Sequence, residues 1–581
     1  MIAALHKNIL ISSLLLLITR LAAAQGLIIP SASYVIANTG NIVLQNNWVN
    51  NGSFTHNGGT VIFNGTTQTL GGSSATTFNN LTVTTSSVTT ITTPGQMVKG
   101  IVLSNKTLNA NGNLTLLSTA AQTALIAGSG TGEVLGNVTM QRYLATGFGY
   151  KYFSSPFQAD TTGDFSDEIN LATTFPDVYR FDENQAFNGW ITYTNPSGLL
   201  TPLAGYAVNF GASTTPLTVD LTGVVNNHTL SNTSLSNHNQ VYTQGFNLIG
   251  NPYPSPIDWN SATGWTKTNI DNALYFFSAG TTNQYTGTYS TYINGVSSNG
   301  IASNIIAAMQ GFFIHVSNGA FPVSASLSVN NNARNTNPST TFLGLTSPQG
   351  PPPLLRLSAG FTDEIASDPM VIYFNNEATT AFDKKMDALK LMNTHPGVPN
   401  LYAVATDTAR LSIDALPYPV DSLTVPLGLK TAKDGWLLFN ATNFEQIPPG
   451  LHIYLSDTRS GINQDLQQQP MYRISLTAGD CINRFFLKFS TKELPPADST
   501  TFMDDFKVYS TDGHLFVNAN LPPGATGRLI IVNTLGQTMD RREISGSGYQ
   551  QIPITFTSGI YVVSFYARNK IISKKVFITG Q

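Results

Sequence analysis

The chain has 581 residues, of which 61 (10%) are charged, with a net charge of −3, 41% hydrophobic residues, 49 Gly, 30 Pro and a single Cys. At about 100–200 residues per domain this length holds several domains, and so much apolar and aromatic content excludes a disordered chain. The near-zero net charge excludes a basic nucleic-acid-binding surface, and a lone Cys481 excludes an intramolecular disulfide. Soluble domains carry about 25% charged residues. Asn, Thr, Ser and Gly take the place of the missing charges.

Residues 1–24 carry Lys7, an apolar run from Ile9 to Ile18 and then Leu21-Ala22-Ala23-Ala24. This pattern predicts a signal peptide cleaved after Ala24. The run is about ten residues where a membrane span needs about 20. Nothing later is apolar for long enough, so the mature chain is expected to have no transmembrane segment.

Residues 25–145 contain only four charged residues, Lys99, Lys106, Glu133 and Arg142. Short apolar runs alternate with Asn and Gly: Gly59-Thr-Val-Ile-Phe63, Phe78-Asn-Asn-Leu-Thr-Val83, Gly100-Ile-Val-Leu103 and Gly112-Asn-Leu-Thr-Leu116. The runs centred near Ile62, Leu81 and Val102 recur about every 20 residues, the length of one coil of a stacked solenoid. Asn and Thr suit its corners, because they form side-chain ladders and tolerate left-handed turns. A β-solenoid-like region is therefore predicted, with an antiparallel sandwich as the competing reading.

Residues 146–345 carry longer, more aromatic strands, such as Gly205-Tyr-Ala-Val-Asn-Phe210 and Gly311-Phe-Phe-Ile-His-Val316, and predict a jelly-roll-like β-sandwich. Residues 346–353 form a Pro-rich linker. Beyond it lie 41 of the 61 charges. Residues 354–495 predict a second β-sandwich with one short helix at Ala381–Met392, where Phe382, Met386 and Leu389 recur at helical spacing. A second linker spans 496–501, and 502–581 make a terminal module of about seven strands.

That module contains Leu529-Ile-Ile-Val-Asn-Thr-Leu-Gly-Gln537, Ser558-Gly-Ile-Tyr-Val-Val563 and Lys574-Lys-Val-Phe-Ile578. In this order and spacing it resembles the C-terminal sorting domain of the type IX secretion system of Bacteroidota, of type A kind. The resemblance implies an Ig-like sandwich recognised by the outer-membrane translocon and its sorting machinery. It places the motif on Leu535, Gly536, Gln537, Gly559, Ile560, Tyr561, Lys574 and Lys575. Gly536 and Gly559 suit positive φ or tight turns. Family members usually open with Pro-Asn-Pro, where this chain has Phe506-Lys-Val-Tyr-Ser-Thr-Asp-Gly513. Phe246-Asn-Leu-Ile-Gly-Asn-Pro-Tyr-Pro254 and Met309-Gln-Gly-Phe-Phe-Ile314 also look like phrases of surface proteins that use this route.

Catalytic signatures are scarce. None of the eight His is followed by Glu, so the His-Glu-x-x-His metal motif is missing, as are a phosphate loop and a nucleophile elbow leading into a helix. Cys481 reads as a structural thiol. A catalytic solenoid would need clustered carboxylates, and residues 25–145 hold no Asp and one Glu. The densest acidic run is Asp160-Thr-Thr-Gly-Asp164-Phe-Ser-Asp167-Glu168, a weak calcium candidate because one bent loop can offer several oxygens. Its competing reading is an Asp-rich turn capping a short helical piece. No other cofactor is expected. Trp48, Trp190, Tyr253, Trp259 and Trp265 could stack on sugars but read first as core.

The expectation is an all-β protein: β-solenoid-like region, two β-sandwiches and an Ig-like terminal module, secreted to the outer cell surface through the signal peptide and then type IX secretion. Its function is expected to be non-enzymatic, adhesive or structural. The alternative is an extracellular polysaccharide-binding or polysaccharide-active protein with a site in 146–345 and cell-surface or environmental glycans as partners.

Overall fold

The computed structural model describes residues 26–340, 352–493 and 506–579, apart from 512, 520, 522–525, 547 and 568–569. The predicted signal peptide, the linker 496–501 and most of the linker 346–353 lie outside the described residues. Among the described residues the chain is all-β, with two short 3-10 helices, Thr162–Phe165 and Asn331–Ala333.

The N-terminal region is a β-solenoid of five three-stranded coils. The first coil is Leu27–Ile29, Tyr34–Ala37 and Ile42–Leu44, and each strand pairs in parallel with its counterpart one coil on. Alternation along each strand sends one set of side chains inward. Val61, Leu81, Val102 and Ile126 stack in register through one face, and Phe78, Val98, Leu116 and Met140 through another. These columns form the core.

The corners explain the missing charge. Amide and hydroxyl side chains satisfy the backbone of the neighbouring coil: Asn41 Oδ1 accepts from Thr60 N at 3.0 Å, Asn47 Oδ1 from Thr69 N at 2.8 Å and Asn80 Oδ1 from Ile101 N at 2.8 Å. Asn113 Nδ2 donates to Ile91 O at 3.1 Å. Neutral donors and acceptors do this at no cost in charge desolvation.

The last coil runs into the body. Strand Asn137–Leu144 pairs on one side with Leu114–Leu116 and on the other, antiparallel over eight residues, with Leu217–Val224 of the first sandwich. Ile126 N donates to Pro254 O at 2.9 Å and Thr123 N to Pro338 O at 2.8 Å. The buried guanidinium of Arg334 donates to Ile126 O, and to Ser255 Oγ at 2.9 Å, with its face over the Tyr253 ring. The predicted boundary near 145 is thus a sealed junction.

Residues 146–340 form four small sheets, the largest pairing Phe246–Gly250 with Gly311–His315. Residues 354–490 form a single 11-stranded sheet. Ile453 and Tyr472, near opposite ends of its strand order, share one core, so the sheet curls over itself into the predicted sandwich. The two bodies are fused: Tyr152, Phe246, Tyr275 and Phe313 pack in one cluster with Leu354, Val371, Tyr373 and Ile413.

The helix predicted at Ala381–Met392 does not form. Those residues make a turn and the two-residue strand Ala388–Leu389, paired with the strand Arg410–Leu416. Phe382 packs on the second-sandwich core and Met386 on the cluster shared between the bodies. The helical spacing serves two separate cores, which one helix face could not reach.

Among the described residues the terminal module has seven strands in sheets of three and four, around its own core of Phe506, Leu515, Val517, Leu529, Ile531, Val563 and Phe565.

Candidate functional site

The predicted acidic loop is divided by the fold. Asp164 accepts from Thr161 N at 2.8 Å and so caps the 3-10 turn, whose Phe165 is buried in the core. Asp160 is buried and accepts from Ser155 Oγ at 2.6 Å; burial pushes its carboxyl up to about 7. Neither faces the other two acids as a ligand. Asp167 and Glu168 instead meet Asp220, which the junction strand Leu217–Val224 brings across, and one oxygen from each of the three lies within 4.8 Å of the others. Sequence spacing gave no sign of Asp220, because it arrives through a long-range pairing.

Asp220 N donates to Glu168 Oε1 at 3.2 Å, while Glu168 Oε2 is buried and meets no donor. Burial, then the neighbouring Asp167 and Asp220, pushes the Glu168 carboxyl up to about 8, and burial also raises Asp220. Protonation of one carboxyl supplies the missing donor. The trio can share a proton, or give it up and present three carboxylates to a hard cation. An open depression of about 440 Å³ runs beside it, lined by Ser166 to Ala172 and Pro196.

An interior Ser/His/Asp set is also present, with the wrong connectivity for nucleophilic catalysis. His315 Nδ1 lies 2.5 Å from Asp271 Oδ2, but Ser317 Oγ donates to Asp271 Oδ1 at 2.6 Å. All three are buried, so this set holds the strand end in place.

Of the aromatics singled out in the sequence, Trp48, Tyr253 and Trp259 are core, and Trp190 and Trp265 are half-buried. The exposed rings are others. Phe175 and Tyr285 lie with centroids 4.7 Å apart, next to Tyr150, and Phe187 lies 6.3 Å from Tyr242.

The terminal motif gathers at one end of the four-stranded sheet. Gly536 adopts φ +80 in a turn where Asn533 Oδ1 accepts from Leu535 N and Gln537 N, each at 3.0 Å. Asn533 pairs with Tyr561, so this turn lies beside Gly559 and Ile560, and Lys575 pairs with Val562 one row further on. Leu535, Ile560, Lys574 and Lys575 are exposed. Gly559 opens its strand without a left-handed φ.

Solenoid, fused sandwiches and separate terminal module define a multidomain all-β protein. The chain belongs to the family described as a domain of unknown function (DUF8693), whose model matches residues 38–489. The match ends where the fused bodies end and spans the predicted linker at 346–353. No curated protein matches the chain. Among solved structures, the Faecalibacterium prausnitzii beta-glucuronidase aligns over 75% of this chain at 10% identity and a TM-score of 0.12. The aligned region covers 46% of that enzyme, so the chain spans less than half its length. The BSP domain of a biofilm associated protein aligns over 76% of this chain and 92% of its own, at 8% identity and a TM-score of 0.12. Neither likeness is close enough to carry a fold or an activity.

Proposed function

We propose that this is a non-enzymatic, modular surface or secreted protein of adhesive or structural role, delivered by an N-terminal signal peptide and then by type IX secretion through residues 502–581. The observation that carries this reading is the terminal module: it has its own core, which includes the motif residue Tyr561, it lies outside the family match, and the motif residues Leu535, Ile560 and Lys575 are exposed towards one end of its four-stranded sheet. A detachable address is expected to be built in this way. The solenoid, anchored along one end to a rigid body, suits the projecting part of an adhesin.

Fusing residues 502–581 to a reporter in a type IX-competent host tests the delivery. The reporter should reach the exterior, and Leu535→Asp with Lys575→Glu should strand it inside. A fused reporter that stays in the periplasm overturns the reading.

The exposed pair Phe175 and Tyr285 favours a second reading, glycan binding within 146–345, because exposed rings stack on sugar faces. A glycan array together with a reducing-sugar release assay separates the two. Binding abolished by Tyr285→Ala supports a lectin-like role, turnover defeats the non-enzymatic reading, and silence in both leaves the structural role.

A further inference from the structure

Phe175 and Tyr285 form the outer wall of a larger arrangement. Strand Tyr206–Asn209 runs between Tyr150–Phe153 and Val178–Phe181, with Tyr150 opposite Asn209 and Tyr179 opposite Ala207. Positions two apart share a face, so these two rings stand together, with centroids 6.1 Å apart. The turn between Leu274–Ala279 and Gly287–Ile293 brings Tyr285 to 6.4 Å from Tyr150, and Phe175 closes on Tyr285 at 4.7 Å. Polar contacts fix both loops: Gln284 O accepts from Tyr150 N at 3.3 Å, Asn283 Oδ1 from Tyr285 N at 2.9 Å and Phe175 O from Thr173 Oγ1 at 2.6 Å. Phe175 and Tyr285 stay 51% and 46% exposed.

Behind these rings lies a carboxylate. The Tyr150 hydroxyl donates to Pro176 O at 3.3 Å, which sets it next to Asp177. Burial first, then Tyr179 and the Asp177 charge, hold the Tyr150 hydroxyl above the usual phenol range, and burial and Asp177 also raise Tyr179. No cation sits beside this half-buried acid. Its oxygens meet Thr173 Oγ1 at 3.2 Å and Asn209 Nδ2 at 3.5 Å, and among the described residues no Lys, Arg or His pairs with it. Burial raises its carboxyl in spite of these two donors. The surrounding body has the same sign: residues 146–345 hold ten acidic and four basic residues, a net charge of −6 in a chain whose net charge is −3.

We infer that Tyr150, Phe175, Asp177, Tyr179 and Tyr285 form a subsite for a glycan that carries free, protonated amino groups. This rests on the glycan-binding reading above and adds the charge of the sugar. The apolar face of the ring lies on Phe175 and Tyr285, its hydroxyls meet the phenol oxygens, and its ammonium faces Asp177. Aromatic faces attract an ammonium ion electrostatically as well as stacking on C–H groups. A half-buried carboxylate that lacks a cation gains more from one than an exposed carboxylate does, because less water screens the pair. An acidic sugar is repelled by the same group, and N-acetylation removes the charge that Asp177 selects.

The test is calorimetric binding of a glucosamine tetramer and of its N-acetylated counterpart to the full chain at about pH 6, where an amine is protonated. The amino form should bind about tenfold tighter, and high salt should narrow that margin. Asp177→Asn keeps an acceptor for Thr173 and should bring the two affinities within about twofold of each other. Tyr285→Ala should abolish both. Thermal melts that match the parent show that these variants are folded. An N-acetylated tetramer that binds as tightly as the amino form, or a preference that survives in Asp177→Asn, overturns the inference and leaves the glycan reading standing. Array binding confined to neutral or acidic glycans does the same. No binding of either tetramer, together with a silent array, overturns both.

Discussion

Lys390 Nζ lies 2.6 Å from both oxygens of Asp368, with the two side chains at 2% and 1% exposure, and Asp368 also accepts from Leu401 N at 2.6 Å. Removing one partner leaves a buried charge uncompensated, so Lys390→Met should cost about 3–5 kcal/mol in urea unfolding. Adding Asp368→Asn should recover more than half of that loss, because the amide oxygen still accepts from Leu401 N; no recovery would show that the site matters for packing alone. Nearby, burial raises Asp387 to about 7 and Asp414 well above the usual carboxylate range, with Asp383 and Asp407 adding like charge. A carboxyl raised in the folded state contributes its stability in full below its unfolded value, near 3.8, and loses it as the pH rises through the folded value. The urea midpoint should therefore fall between about pH 4 and pH 7, and Asp387→Asn should flatten that fall. An unchanged slope would mean that Asp387 is already ionised.

The solenoid depends on close approach between coils as much as on its apolar columns. Gly72 has φ +118, and a Cβ there would lie 2.1 Å from Asn50 O, so no side chain fits without moving the coil below. Gly72→Ala should cost about 2–3 kcal/mol and raise amide exchange in the second and third coils first. Uniform exchange across the region would count against this local account. The element missed in the sequence, the segment 381–392, shows the opposite weakness. Its apolar spacing is real, but only the meeting of two cores decides that it is extended.

On the scale of the molecule, one cluster joins Tyr152, Phe246 and Phe313 to Leu354, Tyr373 and Ile413, and the solenoid is stitched to the same body through Leu217–Val224. Residues 26–490 should unfold as one cooperative unit and the terminal module, with its separate core, as another. Calorimetry should show two transitions, and removing residues 502–581 should delete one while leaving the other in place. Three transitions would mean that the sandwiches are independent. The shared cluster was not legible in the sequence, where the Pro-rich stretch at 346–353 reads as a divider. A linker's composition reports the local chain and carries no information about which surfaces meet across it.

The order of modules, the all-β class and the solenoid were legible because alternation, Gly/Asn punctuation and a repeat of about 20 residues are local or periodic signals. The acidic loop was half legible: Asp167 and Glu168 belong to the carboxylate trio, whereas Asp160 and Asp164 serve their own turn. By itself the sequence determined most of the strands, though not the extended segment 381–392, and where charge is excluded. Only the tertiary structure decided that Asp220 joins the trio, that two sandwiches share a core, and that the last solenoid coil is sealed against the body. Each of these depends on strands far apart in the chain pairing or packing, and no short-range pattern encodes the partner.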